Sequence, residues 1–488
     1  MNRKPSPKLL FVWGRICGAG EESGGPSPSV PRVRSCRQAA LSMAWPLVIP
    51  LILLSSLSLH AEPERLRVVI ETDAGGDPDD EQSLVRWILY TSEWDVEAII
   101  ANRATAREGE NRNRERTGLG IVQQIIRAYG ESHPRLIEHD ERYPKPDILL
   151  ARTVAGYDDR NDAINRLIEI IDAPDPRPIW YADWGTDRGA ATNNLRRTLD
   201  RILKERGPDG YATAKGKLRV FGYPELFGEH SNKIEPPFAL LVNTFQPPMD
   251  GLRWYHRFSA ITAKAGGFDL QRDVISDHGP LGALYPTNTT HGQKEGDTMT
   301  FLSWIPTGMN DPAKPEWGSW AGRYGRIPEF GERPVYWANQ IDSWNGTTNR
   351  DNTVKRWAAA LQNDFRARMD WCVKPRAEAN HLPRPQLKGI SHGGIIRLTP
   401  RASSSLTFDA STTTDPDGHP VTYEWLCYPE DGTFQVNIQS SSTSPVATVN
   451  LPANSTGHTI HVILAVTDTG LPPLTRYRRI ILEPSDRN

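Results

Sequence analysis

Glu71-Thr-Asp-Ala-Gly-Gly-Asp-Pro-Asp-Asp-Glu81 packs six carboxylates into eleven residues, broken by two glycines and a proline. An apolar run, Leu66 to Ile70, precedes it and reads as a buried strand. Ser83-Leu-Val-Arg-Trp-Ile-Leu-Tyr90 follows, and its apolar residues at 84, 85, 88 and 89 recur with helical period. The acids therefore sit on a strand-to-helix turn at the carboxyl end of a strand. Open α/β sheets bind ligands at that edge. Carboxylates this close repel one another. A hard cation offsets that repulsion best, and an all-oxygen ligand set selects Ca2+ or Mg2+. Asp-Pro-Asp-Asp is also ordinary turn chemistry, and acids near a helix start favour its dipole. A whole string of acids directly after a core strand asks for more than a turn.

Outward from this point, strand-like runs alternate with helical patterns up to residue 371. The runs are Leu66–Ile70, Val96–Ala101, Ile179–Ala182, Leu218–Phe221 and Phe238–Val242. Helical patterns cover Gly118–Tyr129, Asp162–Ile171, Asn194–Glu205 and Val354–Trp371. Such alternation predicts an α/β domain, a mostly parallel sheet flanked by helices, over residues 62–375. Residues 376–390 are proline-rich and read as a linker. Beyond them Leu406–Ser411, Val421–Leu426, Thr459–Val466 and Arg476–Leu482 are β-rich, with Gly/Pro turns between. Residues 391–488 therefore predict a small all-β sandwich.

The ends and composition bound the rest. The 488 residues suffice for two or three domains, and a net charge of −2 gives no footing for a nucleic-acid polymer. Met43 to Ala61 has an apolar centre and then small residues, a secretory signal peptide cut after Ala61. The expected location is secreted or periplasmic. The same stretch read as a membrane anchor is too short to span comfortably and carries two prolines. Residues 1–42 either extend its positive end, through Arg32, Arg34 and Arg37, or precede a true start at Met43. The mature chain retains Cys372 and Cys427. Export permits a disulfide between them, and two separate buried thiols are equally ordinary.

Strand, Asp73-Ala-Gly75, Asp79-Asp80 and amphipathic helix together resemble the calcium signature of nucleoside hydrolases. The longer form, through Glu81-Gln-Ser-Leu-Val-Arg86, is similar to a secreted bacterial relative: the cellulose-binding, nucleoside-hydrolase-like family, with a sandwich behind the hydrolase-like domain. Thr414-Asp-Pro-Asp-Gly418 before Tyr423-Glu-Trp425 likewise resembles immunoglobulin-like, cadherin-like and polycystic-kidney-disease-type modules. Those acids could bind Ca2+, and the tight turn alone also explains them.

The resemblance implies a Ca2+ ion that holds a sugar diol and a water. An Asp takes the water's proton, and attack at the anomeric carbon passes through an oxocarbenium-like state. By motif, Asp73 is the implied base and ligand, Asp80 a bidentate ligand, and Asp79 the acid that holds a sugar hydroxyl. This chain has two extra residues between Asp73 and Asp79, including Asp77 and Pro78. Which of Asp77, Asp79 and Asp80 does which job stays open, and Asp77 joins the ligand candidates.

The distal ligand is matched by Asp297 in Glu295-Gly-Asp-Thr-Met-Thr-Phe-Leu302, which is equally placed to start a helix. A backbone carbonyl is implied near Gly185 and Thr186, where this chain carries Asp187 in place of the family's usual Asn. Asn102, at the end of a strand, is placed to reach a sugar hydroxyl or to act as a cap. His278, in Ser276-Asp-His-Gly279, is the candidate leaving-group acid, because imidazole titrates near neutrality. A lone loop histidine is more often structural. Glu225 and His230 are further candidates.

Residues 301–336 hold Trp304, Trp317, Trp320, Tyr324 and Tyr336, with Trp254 and Tyr255 before them. Aromatic faces stack on sugar rings, so Trp304 and Trp317 are candidates for a carbohydrate-facing rim; core packing is the competing account. Two leading functions result, with a third behind them. One is a secreted Ca2+-dependent hydrolase of glycosidic, above all N-glycosyl, bonds, with a sugar or nucleoside as substrate. The other is a non-catalytic binder of a polysaccharide such as cellulose. A structural or adhesive surface protein whose sandwich supplies the contacts is the third. No stable membrane anchor is expected in any of them.

Overall fold

The computed structural model describes residues 64–108, 115–157, 161–186, 189–222, 230, 242–243, 254–287, 292–326 and 335–486. The leader and its cleavage after Ala61, Asp187, Glu225 and most of the expected strand Phe238–Val242 lie outside these residues. Among the described residues, no helix is long and apolar enough to cross a membrane.

Five parallel strands form the main sheet: β1 (Leu66–Thr72), β2 (Trp94–Ala101), β3 (Thr153–Ala155), β4 (Ile179–Asp183) and β5 (Leu218–Phe221). The interior strands are nearly continuous apolar runs because both faces are covered. Val68 and Ile70 of β1 point into one core, and Val69 into the other. Helices α1 (Asp79–Ile88) and α2 (Gly118–His139) cover the first face. Helices α4 (Asp162–Asp172) and α5 (Asn194–Gly216) cover the second, while α3 (Pro146–Ala151) leads into β3. The strand order is β3-β2-β1-β4-β5. The chain moves outward from β1, then starts again at β4 on its other side. The carboxyl ends of β1 and β4 thus flank a topological switch point, where such sheets open a crevice.

Several elements depart from the expected pattern: α3 was not expected, and α2 continues past Tyr129 to His139. The three-residue β3 is too short to carry a periodic signal. Helix α5 extends beyond Glu205 and bends at Gly207, whose φ of 68° precedes Pro208. The helix expected over Val354–Trp371 is broken into Asn352–Lys355 and Ala358–Trp371. At the break, the Trp357 ring packs edge-on against Tyr428 and Tyr477.

The C-terminal strands form the sandwich. Ile396–Leu398, Thr475–Leu482, Ile460–Asp468 and Val421–Cys427 make one sheet. Ser405–Asp409, Val446–Asn450 and Ile438–Gln439 make the other. Their inner faces enclose a core of their own around Phe408, Trp425, Val449 and Ile480. A second set of sandwich residues, Tyr428, Ile463, Ala465 and Tyr477, belongs instead to the core of the α/β half. Backbone bonds join the halves as well, from Tyr477 N to Thr307 O (3.0 Å) and from Arg479 N to Gly308 O (3.1 Å). Cys372 is buried, Cys427 half-buried, and both are free thiols. Burial pushes the Cys372 thiol up to about 12.

Candidate metal centre

The acid loop leaves β1 and folds back on itself. Asp80 lies in the first turn of α1, and its Oδ1 accepts the Thr72 hydroxyl (2.5 Å) and the Asp73 amide (3.1 Å). Asp73 O accepts the Gly76 amide at 2.9 Å. Arg103, just beyond β2, donates to Asp73 Oδ2 (2.8 Å) and to Asp73 O (3.0 Å). Gly185, after β4, closes the other side. A Cβ there would meet Asp73 Oδ1 at 2.7 Å, and its φ of 147° favours glycine.

The second wall is the segment 292–298, which α1 holds in place. Gln82 Oε1 accepts the amides of Lys294 (2.7 Å) and Glu295 (3.0 Å). Arg86, fully buried, donates to Glu295 Oε2 (2.5 Å), Glu295 Oε1 (3.2 Å) and Gln362 Oε1 (2.8 Å). Tyr285 and Thr298 also bond the Glu295 carboxylate. The grip carries Asp297 to the acid loop. Asp79, Asp80 and Asp297, all buried, each offer a carboxylate oxygen, and these oxygens lie within 4.8 Å of one another.

Burial, and then mutual repulsion, raises the pKa of all three acids. Asp79 is pushed up to about 7, first by burial and then by Asp77, with Lys294 opposing. Burial followed by Asp297 drives Asp80 well above the usual carboxylate range. Asp297 is also driven well above that range, by burial and then Asp79. Asp297 Oδ2 is buried and receives no hydrogen bond from any described residue. An orphaned oxygen among crowded buried carboxylates fits a hard cation, whose charge would reverse these shifts.

The other expected residues divide. Asp77 is more exposed than its neighbours and pairs with Lys294 Nζ, which also lies 3.7 Å from Asp79 Oδ2. Thr186 follows Gly185 with its Oγ1 buried and unbonded among the described residues. Asn102 Nδ2 donates to Glu71 Oε1 (3.0 Å) and Gly185 O (2.6 Å), so it bolts strand ends together, while its buried Oδ1 has no described partner. His278 bonds Ser276 O (2.6 Å) and Asp370 Oδ1 (3.3 Å), and neither contact reaches the acid loop. His230 bonds Tyr211 and Asp200.

The aromatic rim is corrected. Trp304 is 2 % exposed and Trp317 9 %, and Trp320, Tyr324 and Tyr336 are buried too. Trp304 packs edge-on to Trp94 and Trp180, and Arg397 and Arg479 sit over Trp317. Their large apolar surfaces are worth more in the core than as an open face. Glu71 also leaves the acid group. It is fully buried and accepts from Tyr181, Asn102 and Asn194, a hub tying β1 to β4 and α5. Arg103 and Lys294 had no sequence signal, and Gln82 and Arg86 stand in the longer motif with no role assigned, since each works through contacts distant in the chain.

Residues 67–324 match the family described as cellulose-binding Sde182, nucleoside hydrolase-like domain. The chain belongs to this family. Residues 405–484 of this Sde182-family protein match the C-terminal domain of cellulose-binding protein Sde0182. A nucleoside hydrolase-related hypothetical protein from Saccharophagus degradans, associated with carbohydrate metabolism, is similar at 29 % identity and a TM-score of 0.67. The match covers 86 % of this chain and 100 % of that one. The effector XOO4466 matches at 10 % identity and a TM-score of 0.32, over 63 % of this chain and 95 % of that one. That score is too low to carry an argument. No curated protein matches the chain.

Proposed function

We propose that this Sde182-family protein is exported, binds Ca2+ at the acid loop and hydrolyses a glycosidic, above all N-glycosyl, bond of a sugar ligand. The observation that carries the reading is the buried trio Asp79, Asp80 and Asp297, with the orphaned Asp297 Oδ2 among them. Asp73, Asp80 and Asp297 would hold the ion, with Asp77 and the Thr186 segment as further oxygen donors. When bound, Ca2+ supplies positive charge that holds a sugar diol and makes a water more acidic. Asp73 accepts the proton of that water. Arg103 fixes its aim by engaging Oδ2, while Oδ1 faces Gly185. Asp79, the acid beside the ligands, orients a sugar hydroxyl, and the carboxylate cluster favours positive charge developing on the ring.

A second reading is favoured by two observations. Arg103 already occupies one Asp73 oxygen, and His278 is engaged by Asp370 away from the loop. Under it, the same centre holds a polysaccharide such as cellulose without turnover. Calorimetry with Ca2+, wild type against Asp80→Ala, tests the shared premise. Ribose, cello-oligosaccharides and a nucleoside panel then separate the readings. Turnover of a nucleoside supports the hydrolase. Cello-oligosaccharide affinity with no turnover supports the binder. No Ca2+ binding at this loop overturns both.

A further inference from the structure

A cavity of about 840 Å³ lies where the α/β half, the segment after it and the sandwich meet. Small-molecule sites span about 300–1,000 Å³. Its walls are the end of α2, the helix Ala358–Trp371, residues 382–386 and the strand Thr475–Leu482. Two prolines stiffen Leu382-Pro-Arg-Pro-Gln386. Backbone bonds tie it to the sandwich, from Arg384 N to Thr414 O (2.8 Å) and from Thr414 N to Arg384 O (3.3 Å).

The charge of the cavity is out of keeping with the chain. The whole protein carries −2, yet six arginines line this space against three acids, Glu93, Asp140 and Glu141. Three of the arginines are matched. Arg142 pairs with Asp140 (2.9 Å), Arg368 with Glu93 (2.8 Å) and Arg476 with Asp364 (2.8 Å). The other three, Arg376, Arg384 and Arg478, have no described carboxylate within 4.0 Å. Arg376 Nη1 donates to the carbonyls of Glu138 (3.3 Å) and His139 (2.8 Å). His139 and His381, also on the wall, spend their ring nitrogens on each other (2.8 Å), on Lys374 O (2.9 Å) and on Asp417 (2.9 Å). The arginines therefore supply the donors that remain.

Arg478 decides the reading. It is 5 % exposed, and its Nε is buried with no described partner. Nη2 donates to His392 O (2.6 Å) and Nη1 to Gly393 O, both neutral acceptors. Arg476 and Arg478 lie on the same face of their strand as Ile480 and Leu482, which enter the sandwich core. Apolar side chains would continue that face without burying charge. A buried guanidinium with no counter-charge is costly unless an anion meets it.

We infer that this cavity binds an oxyanion: a carboxylate or sulfate group, carried on an acidic sugar or as the free ion. The guanidinium fork matches such groups with two parallel N–H bonds. Arg478 serves the buried end, and the exposed Arg376 and Arg384 serve the rim. The site is separate from the acid loop and uses none of its residues.

Calorimetry on the full chain at low salt tests this, with sodium sulfate, glucuronate and uncharged glucose as probes. The expected result is saturable binding of sulfate or glucuronate that weakens at least tenfold in Arg384→Gln and in Arg478→Gln. It should hold in Asp80→Ala and in Arg201→Gln, which alters an arginine of α5 paired with Glu205. Added NaCl should weaken it. Circular dichroism checks folding, and Arg376→Gln replaces Arg478→Gln if the latter does not fold. Tighter binding of glucuronate supports an acidic sugar, and binding of sulfate alone supports the free ion. No binding of either anion, or unchanged binding in the wall variants, overturns the site. Glucose bound as tightly as glucuronate overturns the oxyanion assignment. Loss of anion binding in Asp80→Ala overturns its independence from the acid loop.

Discussion

Arg103 grips Asp73 at two points, its carboxylate at 2.8 Å and its carbonyl at 3.0 Å. The side chain at the heart of the proposed chemistry is therefore held from β2, not from its own loop. Under the hydrolase reading, Asp73→Asn should cut kcat at least 100-fold and leave sugar affinity largely intact. Arg103→Gln removes a positive charge beside the centre, so Ca2+ affinity should hold or tighten while kcat/KM falls through loss of aim. Steady-state kinetics with calorimetry checks both. Weaker Ca2+ binding in Arg103→Gln would show that the guanidinium organises the ligands.

Asp297→Asn should act in opposite directions with and without metal. One of three crowded buried carboxylates becomes neutral, so the metal-free protein should gain on the order of 1 kcal/mol. Ca2+ affinity at the acid loop should fall at least tenfold, about 1.4 kcal/mol. Melting curves in chelator and in excess Ca2+ read the two effects. A loss of metal-free stability would mean that the Asp297 carboxylate is a structural acceptor.

Glu295 tests the grip that brings Asp297 into place. It meets Arg86 in a pair with both side chains fully buried, and further donors fill its oxygens. Removing one partner strands the other charge, which typically costs about 3–5 kcal/mol. Glu295→Ala should lose that much in urea unfolding and should also weaken Ca2+ binding. A cost under 1 kcal/mol would place the organising force elsewhere, in the Gln82 bonds.

His139 gives a pH signature. Burial pushes its imidazole down to about 4, against the Lys374 carbonyl bond that favours the proton; His381 and Arg376 push it further down, and Glu138 opposes them. Unfolded histidine titrates near ~6.5. Between these values the unfolded chain binds the extra proton, so this group's contribution to stability is lost as pH falls from about 6.5 to 4. The full effect is about 3 kcal/mol at ~1.4 kcal/mol per pKa unit. Denaturation midpoints at pH 7.5 and 4.5 should differ less in His139→Gln than in wild type. Equal differences would assign the acid sensitivity to other groups.

The local signals proved legible where one element carries them. The apolar run of β1, the acids after it and the amphipathic α1 are contiguous, so their order alone placed the loop at the sheet edge. Leu218–Phe221 and Val421–Leu426 were equally readable, since strand period and turn residues lie side by side. The rest depends on partners far along the chain. Glu71 looks like one more acid in the string, and only the arrival of Tyr181 and Asn194 makes it a hub. Trp317 sits among polar and glycine neighbours, which suggested exposure, whereas Trp304 lies in the mostly apolar run Phe301–Ile305. Contacts with Trp94, and with Arg479 of the sandwich, bury them. The bare oxygen of Asp297 leaves no sequence trace, because satisfaction is a property of the assembled fold.

The strand Thr475–Leu482 is shared property: its inner residues fill the sandwich, while Tyr477 and Arg479 are stitched to Thr307 and Gly308. The C-terminal module is therefore not a detachable cassette. Cutting it away would expose Tyr477's contact surface and unpaired backbone on the remaining half, an invitation to aggregation. An assay on the isolated sandwich would report on a damaged surface. In the intact chain there is no slack tether between the two halves. A long glycan gripped at one would meet the other at a set spacing, as against a ruler.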